Sequence, residues 1–231
     1  MKRGYIFQIL ENIDAIGWYN YWIVSRFAQY LKGDILEIGC GVGSFTKLLS
    51  GFGSLWAIDI EDEYLKKTKK EASKKVKVGF GDIEKSKFFF KDKQFDAIVC
   101  LNVLEHIQDD DKALKILNQL LKPGGILILL VPTHQFLYNE IDKLSGHFRR
   151  YEKNVLRKKL HQAHFEITSL KRLNFIGGLG WLLSGKIFKS TNIDRSKVKI
   201  FQYLAPPFIF LENLLEPPLG TSLLVITKRV Y

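Results

Sequence analysis

From residue 33 onward, short apolar runs alternate with stretches whose apolar residues recur at helical spacing. That alternation predicts parallel strands joined by helices, a doubly wound α/β core. Strands are expected at residues 34–38, 54–60, 76–79, 95–101 and 126–131. Between the last two, Ala113, Leu114, Leu117, Leu120 and Leu121 mark one face of a helix that Pro123-Gly124-Gly125 closes. Two further strands are expected at 165–170 and 222–228, and the segment between them far exceeds the about 2 to 5 residues of a hairpin loop. It carries Trp181-Leu182-Leu183, Pro206-Pro207 and Pro217-Pro218, which predicts a helical cap, 175–220, inserted before the last strand over the substrate side of the core. Residues 1–32 then form an N-terminal helical segment and 33–231 one domain.

The junction after the first strand carries chemistry. Residues 35–49, ILEIGCGVGSFTKLL, pass from an apolar run through Gly39, Gly41 and Gly43 into a helix-like stretch after Ser44. A strand entering a glycine turn that opens a helix lets backbone N–H groups approach an anionic group or part of a nucleotide. Glycine also serves plain tight turns, so the residues downstream decide. Asp59 ends the strand LWAIDI, where a carboxylate can accept from both ribose hydroxyls of a nucleoside. Asp82, in GFGDIEK, follows another short strand and is placed to accept from an exocyclic adenine amine. Both NAD and S-adenosylmethionine fit these features.

With FDAIVCLNVLEHI and LKPGGILILLVP following in that order, residues 33–170, rejoined at 222, resemble the class I S-adenosylmethionine-dependent methyltransferases. The resemblance implies a Rossmann-like, seven-stranded, mostly parallel sheet and S-adenosylmethionine as cofactor. The family's acidic-x-Gly-x-Gly-x-Gly motif matches Glu37, Gly39, Gly41 and Gly43, with Cys40 inside it. Its ribose acid matches Asp59, beside Ile60, and its adenine-site acid matches Asp82, beside Ile83, while Leu101 and Asn102 would face the methionine moiety. Lys122-Pro123-Gly124-Gly125 matches the turn before the family's fifth strand, which dinucleotide dehydrogenases do not usually share. The segment HFRRYEKNVLRKKLHQAHFEI further resembles a bacterial and archaeal subgroup associated with surface glycan or lipid-linked sugar pathways, with His164 where relatives generally end the helix on glycine.

The reaction so implied is in-line methyl transfer to a small-molecule or lipid-linked acceptor, with oxygen as the expected acceptor atom. A hydroxyl must lose its proton at or before transfer, so a base is sought near the substrate mouth. His147, in SGHFRRYE, is the expected base and His106 the second choice. Arg149 and Arg150 are expected to clamp a phosphate or carboxylate, with Tyr19, His134 and Tyr151 also on the substrate side. A plain surface ion pair is the competing reading of the two arginines. No metal is expected. The stretch GWYNYWIVSRFAQYL gathers Trp18, Tyr19, Tyr21, Trp22 and Phe27 into one helix that either closes over the cofactor or covers a sheet edge.

Composition narrows the partners. A hydrophobic content of 46% over 231 residues is that of a globular chain able to bury a core. The net charge of +11 suits an anionic partner, yet many lysines fall in residues 64–77, where a solvated helix face explains them. Cys40 and Cys100 each close an apolar run and are expected as buried thiols. The C-terminal apolar stretches fall short of the roughly 18 to 20 residues of a membrane span, and no secretory signal is read, so the expected location is cytoplasmic, with peripheral contact at the inner membrane face through the cap. Nucleic acid is not the expected partner. Leu101-Asn102-Val103-Leu104 lacks the Asn/Asp-Pro-Pro-aromatic pattern of base-amine methylation, and neither cysteine follows a proline. RNA ribose methylation and a non-catalytic, membrane-surface S-adenosylmethionine-binding module remain the rival functions.

Overall fold

The computed structural model describes residues 17–183 and 195–230; Lys186 and Lys189 of the expected basic stretch lie outside the described residues. Among the described residues eight strands form one sheet. They are β1 (Asp34–Ile38), β2 (Ser54–Asp59), β3 (Lys77–Asp82), β4 (Lys87–Phe88), β5 (Phe95–Leu101), β6 (Leu121–Pro132), β7 (Phe165–Leu173) and β8 (Ser222–Arg229). Their order is β4-β3-β2-β1-β5-β6-β8-β7. Strands β1, β2, β3, β5 and β6 run parallel, β8 lies antiparallel between β6 and β7, and β4 pairs antiparallel at the edge. The seven expected strands are therefore joined by an eighth, β4, whose two residues are too few to produce a periodic signal.

The helices are α1 (Gly17–Ser25), α2 (Thr46–Leu49), α3 (Asp62–Glu71), α4 (Asp110–Leu120), α5 (Glu140–Ser145), α6 (Lys153–Gln162), α7 (Phe175–Trp181) and α8 (Arg195–Glu212). Side chains alternate across a strand, so the sheet has two apolar faces, each needing a helical layer. On one face α4 and α6 set Leu114, Leu117, Leu156 and Leu160 against Ile98, Cys100, Leu127 and Leu129. On the other, Trp22, Ile23 and Phe27 of the N-terminal segment join Ala205 and Ile209 of α8 against Ile35, Val99 and Ile128. Both cysteines are free and buried.

The expected cap divides. Helix α8 is not a roof over the strand ends; it packs beside α1 on the sheet face, with Phe201 stacked on Trp18 at 6.3 Å and Trp22 Nε1 donating to Asn213 Oδ1 at 3.0 Å. Trp22 and Phe27 thus cover the sheet, while Tyr21 stays exposed. Tyr19 belongs to this seam rather than to the substrate side, since its ring meets Phe201 edge-on at 5.5 Å and its hydroxyl, pushed up by burial and by Glu212, bonds to Asn174. Helix α7 instead reaches the loop between α5 and α6, bringing the Trp181 ring to 4.8 Å from the Arg150 guanidinium. His164, at the end of α6, takes φ of 60°, a conformation that costs a non-glycine residue about 1 kcal/mol.

Candidate active site

The parallel register aligns the C-terminal strand ends, Ile38 opposite Ile58 and Cys100, and Asp59 opposite Phe80. The chain runs outward from β1 to β3 and then crosses to β5 on the other side, which opens a crevice at β1 where such sheets bind ligands. Gly39, Gly41 and Gly43 fill that crevice with φ of 71°, 51° and 89°, all in the left-handed region. A Cβ on Gly39 would stand 2.4 Å from Val103 Cγ2, so the turn lies directly against the segment following β5.

The turn is held from within. The Gly39 and Cys40 amides donate to Ile58 O, the Gly43 amide to Cys40 O and the Gly41 amide to Asp59 Oδ2. Backbone N–H groups of this turn were expected to approach an anionic group; these four are engaged within the protein instead. Glu37 lies beneath the turn and accepts from Thr46 Oγ1 at 2.7 Å. Burial, assisted by the charge of Asp59, pushes its carboxyl up to about 8 against the Thr46 hydrogen bond. Burial likewise raises Asp59, although the Glu61 and Gly41 amides both bond its carboxylate. Each of its oxygens has a second lone pair for a ribose hydroxyl. Ile60 next to it is 59% exposed, an apolar platform in the crevice, while Ile83 is buried. Asp82 accepts from the Glu84 and Lys85 amides, so it also fastens its own turn. Asn102 leaves β5 with φ of 54° and its amide on Leu130 O. A narrow glycine turn, a strand-end carboxylate and an apolar shelf beside it fit a nucleoside with a short charged tail.

Beyond Val103 the chain forms a 3-10 turn, Leu104–His106, that carries a polar cluster. Glu105 is 1% exposed, and neither carboxylate oxygen has a hydrogen-bond partner. Burial pushes its carboxyl up to about 7, against the attraction of His147 and Arg150. Desolvating an unpartnered carboxylate costs several kcal/mol. His106 and His147 stand edge to face at 4.7 Å, and His147 Nε2 lies 4.0 Å from Glu105 Oε1. Burial, then the neighbouring His147, depress His106 to about 4. His147 Nδ1 lies 2.8 Å from Asp142 Oδ1. Asp142 is the hub of this loop: it closes the α5 capping box with Asn139 and receives Arg150.

The arginine clamp is not what forms. Arg150 points inward, its side chain 2% exposed, with Nε bonding both Asp142 oxygens and Nη1 donating to Thr133 O. Arg149 pairs with Asp110 at 3.0 Å and donates to Gln108 O at 2.7 Å. Tyr151 is buried, its hydroxyl on Asp110 Oδ2 and Leu104 O. These three residues build the loop and have little left for an acceptor. His134, two residues beyond β6, has φ of 63° and a buried Nε2 with no hydrogen-bond partner, so it retains a free ring nitrogen. Asp142 was not among the expected site residues; the Asn139-x-x-Asp142 spacing of a capping box was the one local sign of it.

Residues 36–129 match the family model described as a methyltransferase domain. Over 199 residues, 84% of each chain, the protein is 30% identical to an uncharacterized protein of Methanocaldococcus jannaschii. It is 31% identical over 112 residues to a ubiquinone biosynthesis O-methyltransferase of Coxiella burnetii, covering 46% of this chain and 47% of that one. Among solved structures, a putative methyltransferase from Bacillus halodurans superposes with a TM-score of 0.62 at 19% identity, over 90% of this chain and 99% of the other.

Proposed function

Because this chain belongs to the class I S-adenosylmethionine-dependent methyltransferases, we propose that it methylates an oxygen of a small or lipid-linked acceptor. S-adenosylmethionine, when bound, supplies an activated methyl group on a sulfonium. Glu37, Asp59, Asp82 and the three glycines are the residues proposed to hold it, with Cys40, Ile60, Ile83, Leu101 and Asn102 lining the same crevice. The observation that carries the acceptor side is the buried, unpartnered Glu105 carboxylate flanked by His106 and His147, two residues beyond the valine that abuts Gly39. An acceptor hydroxyl is placed against this cluster, where its proton leaves, and the surrounding protein aligns it. His134 borders the same mouth. The O-methyltransferase of Coxiella burnetii, similar over about half its length, supports oxygen as the atom.

Labelled S-adenosylmethionine offered to aqueous and lipid extracts side by side tests this reading. Label is expected in a methyl ether or ester, and Glu105→Gln should lower its formation at least about tenfold while cofactor affinity stays within about threefold. Label confined to RNA, or absent from both extracts, would sink it.

A lipid-linked acceptor is favoured by the outer side of α8 and its continuation, where Tyr203, Phe210, Leu211, Leu214 and Leu215 are exposed, Tyr203 at 85%. No helix among the described residues is long and apolar enough to cross a membrane. Apolar aromatics beside lysines suit an anionic bilayer surface, with about 1 kcal/mol per basic residue near the headgroups. Flotation with anionic vesicles is expected, weakening with salt and lost when Lys186, Lys189, Lys197 and Lys199 become glutamate. Absence of flotation at low salt would overturn the membrane reading.

A further inference from the structure

Glu105, His106 and His147 each present one ligand-bearing atom, and these atoms lie within 4.8 Å of one another. We propose that the three side chains hold a divalent transition-metal cation that binds the acceptor's oxygen. The inference rests on the reading of this cluster as the acceptor side of the site.

Three observations converge. The Glu105 carboxylate is buried and neither of its oxygens has a hydrogen-bond partner, although the positive charge of Arg150 lies near enough to attract it, so both oxygens keep their lone pairs for a ligand. Each imidazole is braced from behind, His147 through Nδ1 by Asp142 at 2.8 Å and His106 by the backbone of Gly146. Asp142 is itself fixed by Arg150 and the Asn139 amide. Metal-ligating histidines carry that signature, one ring nitrogen bonded to a carboxylate or carbonyl and the other left for the ion. Finally, His147 Nε2 and Glu105 Oε1, 4.0 Å apart, face each other across the gap rather than bonding. With bonds of about 2.1 Å, ligand atoms sit roughly 3 to 3.4 Å apart, so loading would draw the cluster in by about an ångström.

Two imidazoles and one carboxylate select manganese, iron, cobalt, nickel or zinc over magnesium and calcium, which prefer all-oxygen shells. Three protein ligands leave positions open for an acceptor hydroxyl. Its O–H bond then breaks more readily, the proton passing to solvent and the oxygen keeping the electron pair with which it takes the methyl carbon. The His147 lone pair cannot both hold a cation and receive that proton, so this assignment replaces His147 as the base.

The full chain, stripped with chelator and dialysed, is titrated with Co²⁺ followed by visible absorption and with Zn²⁺ by calorimetry. Saturable binding of one ion per chain is expected. Glu105→Gln and His106→Asn should each weaken it at least tenfold, while His161→Asn on the exposed side of α6 leaves it unchanged, with retained S-adenosylmethionine affinity certifying the fold of each variant. Absence of saturable binding, or equal affinity in the Glu105 and His106 variants, overturns the assignment. Methyl transfer unaffected by chelator overturns it too while leaving the methyltransferase reading intact, and metal binding without labelled product does the reverse.

Discussion

Asp59→Ala is expected to weaken S-adenosylmethionine binding by about a hundredfold or more in a chain that still folds. Two ribose hydroxyls donating to one charged acceptor contribute roughly 1.5 to 3 kcal/mol apiece, and about 1.4 kcal/mol is tenfold in affinity. The structure adds a second loss. The same carboxylate receives the Gly41 amide at 2.9 Å and the Glu61 amide at 3.0 Å, so alanine also frees the middle of the glycine turn. Asp59→Asn keeps an oxygen for one of these amides but no charge, and should fall between wild type and alanine. Calorimetric titration with the cofactor measures the series. An alanine variant that folds and binds within about threefold of wild type would remove Asp59 from the site.

The place of Asp59 at the end of β2, against the glycine turn, could be read because the pattern that marks it is local: a strand, a terminal acid and a glycine turn at fixed spacing. The limits of β1 and β5 could be read for a related reason, since apolar runs there stop abruptly at glycine or asparagine. Strand β3 was read short because Gly79 and Gly81 look like breakers. In the fold they are absences that neighbours fill, Phe89 lying over Gly79 and Ile58 over Gly81, each closer than a Cβ could tolerate. Helix α8 was misplaced because composition reports that a segment is apolar and not which surface it meets. The Glu105–His106–His147 cluster joins two segments separated by a strand and two helices, so only the fold could assemble it. The arginines failed in the same way. HFRRYE reads as an exposed basic loop, but Tyr151 bridges to Thr133, and Arg150 and Tyr151 are both buried, Arg150 by its pairing with Asp142.

Arg150→Met is therefore expected to destabilise the protein by about 3 to 5 kcal/mol rather than to weaken an acceptor. The guanidinium meets both oxygens of a carboxylate that is itself fully buried, so its removal leaves Asp142 with an uncompensated charge in a medium that cannot solvate it. The Trp181 contact at 4.8 Å goes with it, loosening α7 from the loop. For a chain of this length each kcal/mol corresponds to about 2 to 4 °C, which places the melting temperature roughly 6 to 20 °C lower. Asp142→Leu alone should cost a similar amount, because it strands the arginine. The double variant separates a buried pair from a surface one: with both charges gone and apolar volume retained, much of the loss should be recovered, giving a large coupling energy. An exposed clamp would contribute at most about 1 kcal/mol and couple weakly. A single Arg150 variant melting within about 2 °C of wild type would show that solvent, not Asp142, satisfies this guanidinium, and His147 would then lose the brace that fixes its ring.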